Sequence, residues 1–270
     1  MRDLECMENE VIIRFGLFAG LFAIFAVAEY ALPRRKRSQT RATRWTTNLV
    51  ISVLNTLTLR LMAVWLPLLA VGAALDARAN GLGLFNQISW PEWAEIVVAI
   101  LIFDFAIWVQ HLITHKIPIL WRLHRVHHAD RDIDVTTAVR FHPVEIALSM
   151  FLKIGIVYLI GPAALAVILF EIILNGTAIF NHSNLRLPLA ADRIIRMILV
   201  TPDMHRVHHS VHRDEHDSNF GFALSIWDRI LGTYIAQPKQ GHDAMTTGLE
   251  WQDDRPGKLG WSLRLPFFRK

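Results

Sequence analysis

Histidine is the residue type through which this chain could bind metal ions. Three short motifs hold eight of its 13 histidines, and two of the motifs are the same pentapeptide, HRVHH. Helical residues three or four positions apart share a face, so each motif can present its imidazoles in one direction. The eight histidines are His111, His115, His124, His127, His128, His205, His208 and His209.

Eight converging imidazoles predict a site for two metal ions. A structural zinc site needs about four ligands, and imidazole also suits iron, copper and nickel. Cys6 is the single cysteine, which excludes an intramolecular disulfide and any site built from several cysteines. Two metal ions with open coordination positions would suit oxygen chemistry.

The composition predicts that membrane helices position these motifs. Hydrophobic residues make up 53% of the chain and charged residues 19%, too few to cover a soluble protein of this size. Three apolar segments are expected to cross the membrane, at residues 11–32, 48–75 and 95–113. The first follows an acidic N-terminus without a small-residue cleavage site, so we expect a retained span rather than a signal peptide.

The direction of crossing follows from the basic run at residues 33–44, PRRKRSQTRATR. The positive-inside rule places this run in the cytosol, where membrane topology explains it better than nucleic-acid binding. The third span then ends at the first histidine motif on the cytosolic side. The loop at residues 76–93 is expected on the outer side.

The apolar segment at residues 144–174 decides whether the motifs can meet. If it crossed the membrane once, the histidines before and after it would lie on opposite faces. Gly161 and Pro162 stand at its middle and are expected to break the helix. We therefore predict a hairpin of two short helices that returns to the cytosolic side, followed by a mostly polar region with an interfacial tail.

Further polar residues lie at the depth of the predicted site. Asp104 shares a face of the third span with Trp108 and two histidines, so we expect it to orient a ligating histidine or to pair with Arg60. His142 precedes the hairpin and His182 follows it. Either can act as a ligand or as a helix-capping or core histidine.

The order of these motifs resembles the fatty acid hydroxylase superfamily, which includes sterol desaturases and alkylglycerol monooxygenase. The resemblance covers roughly residues 104–233, and the motifs are HLITH, HRVHH, FHP, NHSN, HRVHH, NFG and WDxxLGT. It implies an all-α integral membrane protein with about four membrane helices or helical hairpins and a cytosolic helical cap that bears the histidine motifs. It also implies that the eight histidines and His182 bind two iron ions, which zinc can replace in purified or crystallised material, and it leaves His142 open.

The resemblance further implies a membrane enzyme that uses O₂ and two external electrons to hydroxylate or desaturate a lipid C–H bond. No cofactor-binding signature is present in the sequence, so a cytochrome-b5-type protein, ferredoxin or reductase is expected to supply the electrons. We divide the chain into an N-terminal transmembrane pair (1–94), a catalytic domain (95–235) and an interfacial tail (236–270). The membrane is expected to be a bacterial inner membrane or the endoplasmic reticulum.

Two alternatives follow from the same residues. A histidine-rich metal transporter needs ligands along a path through the membrane, whereas these histidines stand at the ends of spans and beyond. A zinc-dependent lipid hydrolase needs fewer histidines and a general-base glutamate, which HRVHH lacks.

Overall fold

The computed structural model describes residues 10–66, 69–89 and 91–268, and within them the chain is helical with three isolated β-bridges and no strand. The long helices are α1 (Glu10–Ala31), α2 (Arg41–Trp65), α4 (Glu92–Lys116), α6 (Pro143–Ile160) and α7 (Ala164–His182). The shorter ones are α3 (Ala70–Ala79), α5 (Pro118–His128), α8 (Leu189–Ile195), α9 (Pro202–His208), α10 (Arg213–His216), α11 (Ile226–Ile230), α12 (Gly241–Ala244) and α13 (Leu259–Arg264). Four single turns of 3₁₀-helix lie at Leu84–Asn86, Thr137–Val139, Arg255–Gly257 and Leu265–Phe267.

Five helical segments among the described residues are long and apolar enough to cross a membrane, which confirms the multi-pass, all-α architecture. Large apolar side chains on their outer faces are exposed, as contact with lipid requires, among them Val64, Trp65 and Leu159. Many of the inward-facing side chains pack into a core formed by α3, α4, α6 and α7, while α1 packs against α7 in a second cluster. Phe103 and Phe170 stack at the centre of the first core with ring centroids 4.9 Å apart.

The second span differs from its prediction. Helix α2 begins at Arg41 and ends at Trp65, and the helix resumes as α3 at Ala70, whereas one span was expected at residues 48–75. The earlier start has a physical reason, because Arg44 and Asn48 are buried against acidic and polar groups and extend the helix toward the histidine motifs. Arg60 is exposed and forms no pair with Asp104.

The predicted hairpin is confirmed. Gly161 has a φ of 63°, and a Cβ there would collide with the carbonyl oxygen of Leu82, so glycine suits the turn. The turn lies at the N-terminal end of α4, where Glu95 accepts a hydrogen bond from the Ala163 amide at 2.7 Å. The two free ends of the hairpin return to the histidines. Helix α7 runs beyond residue 174 to His182, and within it Asn175 and Thr177 donate side-chain hydrogen bonds to preceding helical carbonyls.

A cap of short helices covers one end of the membrane helices. Arg44 joins α2 to it through two hydrogen bonds to Asp130, at 2.7 and 2.8 Å, and one to Asp134 at 2.7 Å. The C-terminal segment lies on α5, where Leu265 is buried and its carbonyl accepts a bond from Arg125. The sequence predicted an interfacial tail and did not predict that it docks against the cap. Phe267 remains exposed on it.

Candidate metal centre

Nine buried histidines converge in the cap, and they form two adjoining groups. Within each group, one ring nitrogen from every member lies within 4.8 Å of those of the others. We call them group A and group B. Group A contains His111, His115, His124, His128 and His208, and group B contains His127, His182, His205 and His209.

These are the nine histidines that the sequence singled out, but the motifs divide between the groups. In the first HRVHH, His124 and His128 join group A while His127 joins group B. The second copy is reversed, since His205 and His209 join group B and His208 joins group A. The three imidazoles of one motif therefore do not belong to a single metal-binding group. The first copy gives two histidines to group A and one to group B, and the second copy gives one to group A and two to group B. Helix α4 supplies the other histidines of group A, and α7 supplies the other histidine of group B.

The motifs stand at helix ends because the chain turns directly after them. Helix α5 ends at His128 and helix α9 ends at His208, with His209 as its C-cap residue. Proline opens both helices, at Pro118 and Pro202, where a missing backbone donor costs nothing. Short helices that begin at proline thus carry the two equivalent motifs, as the repeated pentapeptide predicted.

Four of the histidines are oriented by hydrogen bonds from Nδ1, which leaves Nε2 as the ring nitrogen with a lone pair. His111 Nδ1 donates to the Phe220 carbonyl and His208 Nδ1 to the Ser218 carbonyl, each at 2.7 Å. His182 Nδ1 donates to the Ala178 carbonyl one turn earlier in α7, also at 2.7 Å. The fourth is His124, whose Nδ1 lies 2.6 Å from Glu145 Oε1.

The remaining nitrogens show that the groups suit metal ions. Among the described residues, neither ring nitrogen of His128 or His209 has a hydrogen-bond partner, although both side chains are fully buried. A buried polar atom without a partner is destabilising, and metal coordination removes that penalty. Burial and the neighbouring imidazoles hold the pKa of the cap histidines His127, His128 and His205 well below 6.5. The rings are therefore neutral, as metal ligands must be.

The structure leaves His142 outside both groups. Its Nδ1 accepts a bond from the Val144 amide at 3.2 Å, so it caps the N-terminus of α6. Its other nitrogen lies 3.2 Å from the Leu263 carbonyl in the C-terminal segment. Both nitrogens are thus engaged in holding α6 and the tail in place, which leaves no lone pair for a metal.

Asp104 is buried on the same face of α4 as His111 and His115, but it contacts no histidine. Its Oδ2 accepts a hydrogen bond from the Trp227 indole at 2.7 Å. The indole of Trp227 thus pairs with a buried carboxylate. Asp104 therefore supports the contact between α4 and α11 instead of orienting an imidazole directly.

Two acidic residues that the sequence did not single out for the metal centre are closer to the histidines. Asp228 accepts four hydrogen bonds, from Trp108 Nε1, Thr233 Oγ1 and the amides of Phe220 and Gly221. Its carboxylate thus holds the Phe220 backbone, whose carbonyl orients His111. Glu145 stands in the first turn of α6 and contacts His124 directly. The contacts of Asp228 with the Phe220 backbone and of Glu145 with His124 became visible only in three dimensions.

A cavity of about 770 Å³ opens beside group A. His111 and His124 stand at one part of its wall, together with the apolar rings of Phe141 and Phe222. The cavity extends between α1, α2, α4, α6 and α7, so most of it lies among the membrane helices. Its size suits a lipid chain or another apolar molecule of comparable volume.

Comparisons with known proteins agree with this arrangement. The family model for fatty acid hydroxylases matches residues 96–233, just over half of the chain. An ornithine lipid hydroxylase of Rhizobium tropici is 28% identical over 150 residues, which cover 56% of this chain and 44% of that protein. Alkylglycerol monooxygenase of Homo sapiens is 31% identical over 159 residues, 57% of this chain and 33% of that protein.

Cholesterol 25-hydroxylase of Homo sapiens is 29% identical over 141 residues, which cover 52% of this chain and 50% of that protein. The chain therefore matches half or less of the length of these curated relatives. No solved structure matches. The family match spans both HRVHH motifs, His182 and the Asp228 segment, and it confirms the resemblance inferred from the motifs: this chain belongs to the fatty acid hydroxylase family.

Proposed function

We propose that this protein is a membrane-bound, O₂-dependent di-iron oxygenase that hydroxylates or desaturates a C–H bond of a lipid. One observation carries the proposal: two adjoining groups of buried histidines stand beside a large cavity among membrane helices. The relatives named above are lipid hydroxylases and a monooxygenase by name, which supports the same class of reaction.

Group A would hold one iron and group B the other. When bound, two ferrous ions supply the activation of O₂ that a C–H bond requires. The protein itself brings nine imidazoles together, with Glu145 and the Phe220 carbonyl keeping the Nε2 atoms of His124 and His111 available as ligands. We assign the catalytic domain to residues 95–235, where all nine histidines lie.

The cavity would place the substrate carbon next to group A, because His111 and His124 line it and no group B histidine does. Phe141 stacks on His127 with centroids 4.3 Å apart and also lines the cavity, so it separates group B from the substrate. Apolar walls would exclude bulk water from the reacting carbon. The protein's part is thus orientation of the lipid and exclusion of water.

We place the site on the cytosolic face of the membrane. The basic segment at residues 33–44 packs on the cap, where Arg44 pairs with Asp130 and Arg34 with Asp203. The segment and the histidines therefore share one side, and the positive-inside rule assigns that side to the cytosol. A reporter fused after Lys270 should be active in the cytosol, and an external signal would contradict this orientation. The electrons would come from an external cytosolic donor.

The two rival functions predict different metal contents. A transporter would require ligands along a path, whereas the described histidine groups lie at one end of the helices. A zinc hydrolase would require one zinc and no O₂. Glu145 contacts His124 and is available as an acid or base near the cavity, so zinc deserves direct measurement.

The test is to purify the protein in detergent, measure iron and zinc per chain, and follow O₂-dependent oxidation of extracted membrane lipids. We expect two irons per chain and an oxidised lipid. His128→Ala in group A and His209→Ala in group B should each lower the iron content. His212→Ala is the matched control, since His212 is exposed and belongs to neither group. One zinc or no metal per chain in the wild type would overturn the proposal.

A further inference from the structure

A cluster of four charged residues lines the cavity away from the histidines. Arg14 pairs with both Glu10 and Glu171, and Lys153 pairs with Glu171. The four side chains are between 7% and 31% exposed, and all four line the cavity. They belong to three different membrane helices, α1, α6 and α7.

Lys153 and Glu171 lie within the membrane-spanning helices α6 and α7, while Glu10 and Arg14 stand in the first turns of α1, from which Arg14 reaches Glu171. Lys153 is eight residues beyond Glu145 along α6, which corresponds to about 12 Å of helix rise. Glu171 is 11 residues before His182 along α7, or about 16 Å. Charged side chains at such a depth are costly, and they commonly mark a ligand path or binding site.

Polar side chains line both ends of the cavity. Glu145 and Thr114 stand near the histidines among the rings of Phe141 and Phe222, while the other end carries the charged cluster and Asn175. Gln110 and Ser149 lie between and are hydrogen-bonded to each other at 3.2 Å. A wholly apolar ligand would leave these polar groups facing hydrocarbon, whereas a ligand with a polar end would satisfy them.

The charges of the cluster cancel, because two basic residues face two acidic ones. A ligand group with a net charge would therefore add an unbalanced charge in a low-dielectric environment. A hydroxyl or another polar group without net charge can bond to the carboxylates and to the cations without that penalty. The cluster thus discriminates by net charge as well as by polarity.

We propose that this cluster binds the polar end of the lipid substrate, and that this end is a hydrogen-bonding group without net charge, such as a hydroxyl. The proposal rests on the proposed function, since it names the substrate class for the same cavity. It also sets a length: the oxidised carbon should lie roughly 12 Å from the polar group, the helix rise along α6 from Lys153 to Glu145, which contacts His124 of group A. The far end of an amphipathic lipid, and not its polar end, then meets group A.

The experiment measures binding rather than turnover, so it can fail independently of the oxygenase proposal. Four probes with the same chain displace a fluorescent acyl lipid from the detergent-purified, metal-loaded protein at pH 8: hexadecan-1-ol, hexadecanoate, hexadecylammonium and hexadecane. We expect hexadecan-1-ol to bind about tenfold more tightly than each of the others.

Charge variants make the test specific. Glu171→Gln leaves the cluster with an excess positive charge and should shift the preference to hexadecanoate. Lys153→Met leaves excess negative charge and should shift the preference to hexadecylammonium. Lys239→Met, whose side chain is exposed in the cap, is the matched control and should keep the preference for the alcohol.

Each outcome decides for or against the proposal. If the ion pairs merely hold α1, α6 and α7 together, the variants would lower thermal stability and leave the order of probe affinities unchanged. Equal affinities for all four probes in the wild type would also overturn it. The two variants carry opposite predictions, so the test stands if one of them fails to fold. Loss of oxidation with the charge preference intact would count against the oxygenase and not against this site.

Discussion

His111 Nε2 lies 3.1 Å from His124 Nε2, while the Nδ1 of each ring is already bonded to an acceptor. A neutral imidazole has one N–H, so in both rings the facing Nε2 atoms carry lone pairs. Two lone pairs at this distance repel each other unless a cation lies between or beside them. The proposed metal ion would relieve this repulsion, so we expect the stability of the cap to depend on metal.

Metal removal should therefore destabilise the protein. A metal present at 100 times its dissociation constant adds about 2.7 kcal/mol to the free energy of unfolding. We expect the melting temperature to fall after treatment with an iron chelator and to recover on addition of Fe²⁺ under anaerobic conditions. The double variant His111→Ala/His124→Ala should respond far less to the chelator. A wild-type melting temperature that is unchanged by the chelator would contradict this account.

Asp228→Asn should weaken metal binding although Asp228 touches no histidine. Its carboxylate accepts four hydrogen bonds, and an amide group would turn a donor toward the amide of Phe220 or Gly221. The displaced Phe220 carbonyl would release His111, so we expect an affinity loss of about 10–100-fold in metal titrations.

Asp104→Asn is the comparison for that experiment. Its indole donor, Trp227, can be satisfied by the amide oxygen of asparagine as well as by a carboxylate. We expect metal affinity within about threefold of the wild type, on the scale of one retained hydrogen bond. An equal loss in both variants would show that Asp104 acts on the metal centre after all.

Glu145→Leu should impair group A more than Glu145→Gln. Glutamine keeps an oxygen acceptor for His124 Nδ1, whereas leucine leaves that N–H without a partner. We expect iron affinity to fall by about tenfold or more for leucine, with a smaller fall for glutamine. Glu250→Leu, at an exposed position of the tail, is the control. Equal iron affinities for both Glu145 variants and the wild type would mean that this carboxylate does not orient His124.

Gly161→Ala tests the hairpin that brings the two halves of the site together. The positive φ alone costs an L-residue about 1–2 kcal/mol, and the new methyl group would also collide with the Leu82 carbonyl. We expect a fall in the urea unfolding midpoint that corresponds to at least this amount. Gly155→Ala in the middle of α6 meets no atom within 4 Å and should be neutral or slightly stabilising. Similar midpoints for both variants would argue against a strained turn.

Arg44→Met should be among the most destabilising changes outside the histidines. Arg44 is buried and bonds Asp130 and Asp134, which would lose the cation that bonds them directly next to α5. Removing one partner of a buried ion pair costs about 3–5 kcal/mol. Arg213→Met, at an 80% exposed side chain, should change the unfolding free energy by less than about 0.5 kcal/mol. A small effect at Arg44 would show that solvent replaces the lost pair.

Local patterns predicted the features that depend on nearby residues. Apolar runs long enough to cross a bilayer identified the membrane helices, and Gly161 with Pro162 marked the break of the hairpin. The spacing from Asp104 to His115 placed one polar face on α4, and these residues are indeed buried together. Boundaries were less accurate. Helix α2 starts at Arg41 because a buried ion pair with the cap outweighs the polar character of its first turn.

Residue types, their order and their spacing were sufficient to select the nine histidines and the family. They could not assign those histidines to two groups, because the sequence of HRVHH does not determine how its helix is rotated about its own axis. Packing of α5 and α9 fixes that rotation, sending His127 and His208 to opposite groups from their neighbours. The structure likewise shows His142 as the N-cap of α6. Asp104 contacts Trp227 and Glu145 contacts His124 only in the folded protein, because residues far apart in the chain become neighbours when the helices pack together.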